Sequence, residues 1–148
     1  MLIKDMPMTG TQIPLTISSA KSIRGVAMMM RDRNAGVLVM VDGDGCYAGL
    51  ITQRSIARAV ADESFHPNST AHDLHTPALS CGPDTSVDWL RNHMEIEGTH
   101  YPAIICDEDH KPVRMIFYQD LLKAKIDHHE LGRYDSHTGQ RLPEKMGE

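Results

Sequence analysis

The stretch AGVLVMVDGDGCYAGLIT, residues 35–52, decides the fold of this chain. It contains two apolar runs of strand length, separated by Gly43-Asp44-Gly45, and this pattern predicts a β-hairpin. A dinucleotide-binding loop has a different order, in which the glycines follow one strand and open a helix directly. Here Gly43 and Gly45 precede the second strand and Gly49 lies within it. The glycines therefore indicate turn chemistry rather than a phosphate loop.

Helical patterns flank the hairpin on both sides. Before it, four residues recur at the spacing of one helical face: Ala20, Ile23, Ala27 and Met30. After it, Thr52 is the expected N-cap of a second helix. The apolar residues of that helix are Ile56, Ala59 and Val60. The predicted order is helix, strand, strand, helix.

The second half of the chain repeats this order. The segment PDTSVDWLRNHMEIEG predicts a helix with Asp84 as its N-cap. The buried stripe of that helix is Val87, Leu90 and Met94. YPAIICD and PVRMIF follow as strands around an EDHK turn, and YQDLLKAKI closes the half with a helix.

The two halves are copies of one unit. Asp42 aligns with Asp107 and Ser55 with Asp120, so the chain repeats at about 65 residues. We therefore expect a first repeat with its linker at 1–69, a second repeat at 70–126 and a polar C-terminal extension at 127–148. A single copy would bury little apolar surface, which predicts that the copies pack face to face.

Composition and charge argue against several classes of protein. The formal net charge of -5 does not favour binding to nucleic acid. No apolar stretch reaches the roughly 18 residues of a membrane span, and the N-terminus lacks a signal-peptide core. The three cysteines and nine histidines show no metal-ligand or disulfide spacing. No nucleophile, base and orienting group come together, so we expect a non-enzymatic cytoplasmic protein without a metal.

Five stretches of the chain resemble a pair of CBS domains, the regulatory tandem also called a Bateman module. IKDM (3–6) and AHDLHTP (71–77) resemble the lead-in before each repeat. GPDTSVDWL resembles the start of the first helix, and GTHYPAIICD resembles a strand that carries a proline. GLITQRSI resembles the closing motif: glycine, two apolar residues, Thr or Ser, two free positions, then Asp. The resemblance implies an α+β fold of two βαββα-type repeats, packed sheet to sheet with pseudo-twofold symmetry.

The family commonly holds an adenosine-type ligand between the repeats, such as AMP, ADP, ATP or an S-adenosyl compound. By the resemblance, the Asp120 carboxylate would accept hydrogen bonds from the ribose, and His100 would contact a phosphate. Phe117 would stack on the base or fill the cleft, and Thr52 would help hold the sugar or phosphate. The ligand-binding residues that the resemblance implies are Asp120, Phe117, Met115, His100, Ile17, Val37, Thr52 and Ser55.

Neither repeat keeps the whole closing motif. The first has Ser55 where the ribose carboxylate is expected, and the second has Arg114 for the glycine and Phe117 for the hydroxyl residue. Asp120 has an alternative role as a first-turn carboxylate, which the helix dipole stabilises by about 0.3–1 kcal/mol. Arg114, on a strand, is expected to be a solvated edge residue rather than a phosphate clamp.

Two functions are consistent with this pattern. In the first, a homodimer senses an adenosine-type nucleotide and transmits binding as a change in subunit packing. In the second, a degenerate pair acts as a dimerisation or docking domain without a nucleotide. The tail stretch YDSHTGQRLPEK is similar to the entry of a diguanylate cyclase domain through Asp135, Thr138 and Gly139. That similarity implies a sensor that is part of a larger signalling protein.

Overall fold

Two three-stranded sheets and four α-helices make up the part of the chain that the structure describes. The structure is a computed structural model, which describes residues 1–62, 66, 68–98, 101–124 and 139–140. The elements of the first half are β1 (Thr16–Ser18), α1 (Ile23–Arg33), β2 (Val37–Val41), β3 (Tyr47–Thr52) and α2 (Gln53–Ala61). Those of the second half are β4 (Ser80–Cys81), α3 (Val87–Glu97), β5 (Ala103–Cys106), β6 (Pro112–Ile116) and α4 (Tyr118–Lys123). The expected α+β fold is confirmed.

The predicted hairpin forms the larger part of the first sheet. β2 runs antiparallel to β3, and β1 adds in parallel at the other edge of β2. The Asp42 carboxylate accepts hydrogen bonds from the backbone N–H of Asp44 at 2.9 Å and of Cys46 at 3.0 Å. Gly45 follows with a φ of 82°, a conformation that favours glycine. These contacts close the turn that the Gly-Asp-Gly sequence predicts.

The N-cap of α2 is the residue that the sequence predicts, and the N-cap of α3 is a different residue. Thr52 is the N-cap of α2, as expected, and its hydroxyl accepts a hydrogen bond from the Ser55 N–H. The N-cap of α3 is Ser86, whose hydroxyl accepts from the Trp89 N–H at 3.3 Å, so the prediction of Asp84 was wrong. Asp84 instead forms a surface ion pair with Lys4, with 2.8 Å between the charged atoms.

The helices bury part of the faces that their periodicity predicts. Val87, Leu90 and Met94 on α3 are all buried. On α1 the fully buried residues are Ile23, Val26 and Met30. Val60 on α2 is 62% exposed, whereas Ile56 and Ala59 are half-buried. Of the face predicted for α1, Ala27 is half-buried, and Ala20 precedes the helix and is exposed. None of the described helices is long and apolar enough to cross a membrane.

Two compact units divide the chain, and they do not follow sequence order. The first unit comprises Pro14–Ala78 with Asp109–Pro112, and the second comprises the remainder of the chain. Each has its own apolar core. The first core includes Ile17, Ile23, Val26, Leu38, Met40 and Ile51. The second includes Ile3, Val87, Leu90, Ile105, Ile116 and Leu121.

The lead-in of each repeat packs in the unit that holds the other repeat. The Ile3 N–H donates to the Thr85 carbonyl at 2.9 Å, which ties the N-terminal segment to the turn before α3. The second lead-in begins with a short 3-10 helix, Ala71–Leu74, and then pairs with β3. There the N–H and carbonyl of Leu50 exchange hydrogen bonds with those of Thr76, at 2.9 and 2.7 Å. Sequence repeats and compact units are therefore different divisions of this chain.

Candidate functional site

Asp120 occupies the first turn of α4 and uses one of its two carboxylate oxygens to hold the helix start. The Phe117 N–H donates to Asp120 Oδ2 at 2.8 Å, and the Asp120 N–H donates to the Phe117 carbonyl at 3.0 Å. The structural role expected for a first-turn carboxylate is thus present. The residue is half-buried, and no described residue donates a hydrogen bond to Oδ1. One oxygen remains available to accept a hydrogen bond from a ligand.

The neighbouring site residues of the second unit lie along the same β6–α4 segment. Met115 is buried on β6, and Phe117 is half-buried at the N-cap of α4. His100 lies outside the described residues, as do Asp135 and Thr138 of the tail. The proposed ligand roles of Met115, Phe117 and Asp120 remain predictions, because the geometry gives their positions and not their partner.

Arg114 is buried, with 7% of its surface exposed, so its interpretation as a solvated edge residue was wrong. Its Nε donates to Gln12 Oε1 at 2.8 Å, and its two Nη atoms donate to the carbonyls of Ile3, Met6 and Pro7 at 2.9–3.0 Å. Burial lowers the pKa of Arg114, and the charge of Asp120 partly offsets that effect. The guanidinium is therefore committed to the N-terminal segment rather than to a phosphate.

One sequence signal could have revealed the burial of Arg114. Side chains alternate between the two faces of a strand, so Arg114 shares a face with Ile116, which is fully buried. Its acceptors could not be found in the same way. Gln12 is buried in a short 3-10 helix near the N-terminus, and no local pattern connects it with β6.

The site residues of the first unit are Ile17, Val37, Thr52 and Ser55. Ile17 and Thr52 are buried, and Val37 and Ser55 are half-buried. The hydroxyls of Thr52 and Ser55 lie 3.1 Å apart, and each also contacts the other's backbone N–H. This mutual cap satisfies both hydroxyls within the helix start. Ser55 therefore occupies the position at which the closing motif has a carboxylate for the ribose, and it brings no charge to that position.

A cavity of about 510 Å³ lies within the first unit, between α2 and the lead-in at residues 71–76. Its volume falls in the range of small-molecule sites, about 300–1,000 Å³. Ser55 is the one residue of the predicted site that lines it. The other polar lining residues are Arg58, Asp62, Ser69, Asp73, His75 and Thr76. Sequence reasoning missed them because they come from two segments whose contact is a tertiary feature.

Metal and thiol chemistry find no support in the described part of the chain. It contains no group of three His, Cys, Asp or Glu side chains that could hold a metal ion. The three cysteines, Cys46, Cys81 and Cys106, do not form disulfides. Burial raises the pKa of the Cys81 thiol, and burial and the nearby Asp42 carboxylate raise that of Cys46. Because the thiolate is the nucleophile, both are poorly reactive at neutral pH.

A comparison with models of known protein families finds two matches to one family. The family model of the CBS domain matches the chain twice, at residues 3–62 and 71–127. A search of curated proteins finds no match.

Solved structures of CBS domains share the fold. The CBS domains of a transcriptional regulator from Streptococcus pneumoniae are 9% identical, with a TM-score of 0.66 over 84% of this chain and 98% of that one. CBSX2 in complex with AMP is 12% identical, with a TM-score of 0.67 and coverage of 82% and 93%. The CBS domain pair of protein MJ0100, in complex with 5′-methylthioadenosine and S-adenosyl-L-methionine, is 24% identical, with a TM-score of 0.66 and coverage of 83% and 94%. At these identities the likeness shows the fold alone.

Proposed function

This chain belongs to the CBS domain family, with two tandem copies, and we propose that it is a non-catalytic regulatory module that binds an adenosine-type ligand. Two structurally similar CBS proteins hold AMP, or 5′-methylthioadenosine and S-adenosyl-L-methionine. We propose the same ligand class here: AMP, ADP, ATP or an S-adenosyl compound. The module would act in the cytoplasm as a homodimer, passing the signal to an output domain or partner protein.

The observation that carries this proposal is the unused oxygen of Asp120. Oδ2 caps α4, while Oδ1 receives no hydrogen bond from the described residues. A carboxylate oxygen in this state is suited to accept from the two ribose hydroxyls of a nucleoside. Such charge-assisted hydrogen bonds contribute about 1.5–3 kcal/mol each. Phe117 and Met115 would offer apolar contact to the base, and Ile17, Val37, Thr52, Ser55 and His100 keep the roles that the resemblance implies.

A thermal-shift series tests the ligand class. Wild-type protein is heated with AMP, ADP, ATP, S-adenosylmethionine and cyclic dinucleotides in separate samples. A ligand present at about a hundred times its Kd adds about 2.7 kcal/mol to the stability of the folded state. We expect a rise in Tm with at least one adenosine compound and none with the cyclic dinucleotides.

Three variants test the assignment of Asp120. Asp120→Ala removes both oxygens and is expected to abolish binding, while Ser55→Ala retains most of it. Asp120→Asn keeps an acceptor for the Phe117 N–H and removes the charge, so it separates capping from ligand binding. Loss of binding in a stable Asp120→Asn protein supports the proposal. Equal losses from Asp120→Ala and Ser55→Ala would contradict it.

A second candidate function is a dimerisation or docking domain that binds no nucleotide. The observation in its favour is Arg114, which fills the glycine position of the closing motif and is held by Gln12 and three carbonyls. The absence of any shift in the thermal series, together with a stable dimer in sedimentation analysis, would support this function over the first.

A further inference from the structure

The cavity of the first unit is lined by charged groups of both signs. Arg58 lines it from α2, Asp62 from the C-cap of α2, and Asp73 from the 3-10 helix Ala71–Leu74. Among the described residues, none forms an ion pair or a hydrogen bond with the Arg58 guanidinium. The Asp73 carboxylate accepts from the Thr70 N–H through Oδ2, at 3.2 Å. Its other oxygen has no described donor, so each wall presents a charged group with unused hydrogen-bonding capacity.

His75 adds an acceptor beside Asp73. Its Nδ1 contacts the carbonyl oxygen of His72, and a carbonyl can only accept, so Nδ1 carries the proton in this contact. The ring then presents Nε2 as an acceptor. A ligand ammonium could donate to Asp73 and to His75 Nε2 together, while a ligand carboxylate could accept from Arg58.

Apolar side chains complete the cavity. Ile23 and Leu74 are buried, and Ala59 is half-buried, and all three line the space beside the charged groups. A ligand that pairs with Arg58, Asp73 and these apolar side chains needs an anionic group, an ammonium and an aliphatic portion. An apolar α-amino acid has these three parts.

We propose that this cavity binds an apolar α-amino-acid group, with its carboxylate on Arg58, its ammonium between Asp73 and His75, and its side chain against Ile23 and Leu74. The site is separate from the nucleoside contact proposed at Asp120. Its occupant would join α2 to the lead-in of the second repeat, because the two walls come from those segments. The group could come from a free amino acid or from the amino-acid end of an S-adenosyl compound.

Titration calorimetry on the full chain tests the proposal with four probes. Free methionine and leucine carry the group alone, and S-adenosylhomocysteine carries it on a nucleoside through an uncharged thioether. 5′-Methylthioadenosine is the matched thioether nucleoside without it. Binding of methionine or leucine identifies a free amino acid as the source. Binding of S-adenosylhomocysteine without binding of the free amino acids, reduced by changes at Arg58, identifies the S-adenosyl compound.

Three substitutions attribute the signal to this cavity. Arg58→Gln and Asp73→Asn are each expected to weaken binding of the amino-acid group about tenfold, because each removes a charge-assisted contact. Asn at position 73 keeps an acceptor for the Thr70 N–H. Arg54→Gln is the matched control, since Arg54 is exposed on the same helix and does not line the cavity. It should leave affinity within about twofold, a change well below 1.4 kcal/mol.

Two results would overturn the proposal. One is no heat of binding with methionine, leucine or S-adenosylhomocysteine. The other is binding that Arg58→Gln and Asp73→Asn leave unchanged. The adenosine proposal fails separately, if none of AMP, ADP, ATP and the S-adenosyl compounds binds or if their binding does not depend on Asp120.

Discussion

Arg114 and Gln12, 102 residues apart in the chain, share a buried hydrogen bond of 2.8 Å from Arg114 Nε to Gln12 Oε1. The same guanidinium donates to three backbone carbonyls of the N-terminal segment, those of Ile3, Met6 and Pro7. A planar group with five donors can hold several acceptors in fixed positions, which an ammonium cannot do as well. A single side chain of β6 therefore anchors the N-terminal lead-in within the second unit.

Replacement of Arg114 should destabilise the protein. Arg114→Met keeps an unbranched apolar stem, removes the guanidinium and leaves the Gln12 amide and the carbonyls without their donor, at a cost of about 2–4 kcal/mol. Urea denaturation measures the loss, and hydrogen exchange should show residues 3–12 losing protection first. Arg24→Met, at an exposed position of α1, is the control and should change stability by less than about 0.5 kcal/mol. Equal stability of the two variants would contradict the anchoring role.

Gly49 should not tolerate alanine. Its φ of 139° is strained for a side chain, and a Cβ would lie 2.9 Å from His75 Cδ2. We expect Gly49→Ala to cost about 1–3 kcal/mol in chemical denaturation. Gly43→Ala, in the hairpin turn with open space around it, is the matched control. The double variant Gly49→Ala with His75→Ala should recover only the stability that is lost through the contact between the new Cβ and His75. The backbone strain at residue 49 remains in that variant.

Tryptophan fluorescence should report on the C-terminal tail. Gly139 has a φ of 72°, and a Cβ there would clash with Cε3 of the Trp89 ring, so alanine cannot fit without a shift of residue 139 or of the ring. The Ser86 N–H donates to the Gly139 carbonyl at 2.8 Å. Because the chain has a single tryptophan, Gly139→Ala should shift its emission to longer wavelength as the ring becomes solvated. Gly10→Ala, which meets no neighbour, should leave the spectrum unchanged.

The ionisation of Tyr118 should depend on Glu95. The Tyr118 hydroxyl donates to Glu95 Oε1 at 2.6 Å, and this hydrogen bond is the main reason that the pKa of Tyr118 is raised. A raised pKa means that the contact stabilises the fold below the ordinary tyrosine value, near 10, and is lost as pH rises through the folded value. The absorbance titration of Tyr118→Phe is subtracted from that of the wild type, and the difference reports the ionisation of Tyr118.

Glu95→Gln is the companion variant for that titration. Without the carboxylate, the pKa of Tyr118 should return towards its ordinary value. An unchanged titration curve in Glu95→Gln would show that the hydrogen bond does not control the phenol.

Local sequence predicted most of the secondary structure correctly. The Gly-Asp-Gly turn, the Thr52 cap and the α3 stripe depend on contacts within a few residues, and the structure confirms all three. The α3 cap was missed by two positions, because both Asp84 and Ser86 are good capping residues and only the backbone path selects between them.

The sequence alone determined the duplicated α+β unit and the CBS family, since periodicity, turn chemistry and ordered motifs are properties of neighbouring residues. Tertiary structure alone decided the burial of Arg114, the placement of each lead-in beside the other repeat, and the charged cavity between α2 and residues 71–76. Those features depend on which distant segments pack together, and such packing is selected by the whole core rather than by any short pattern.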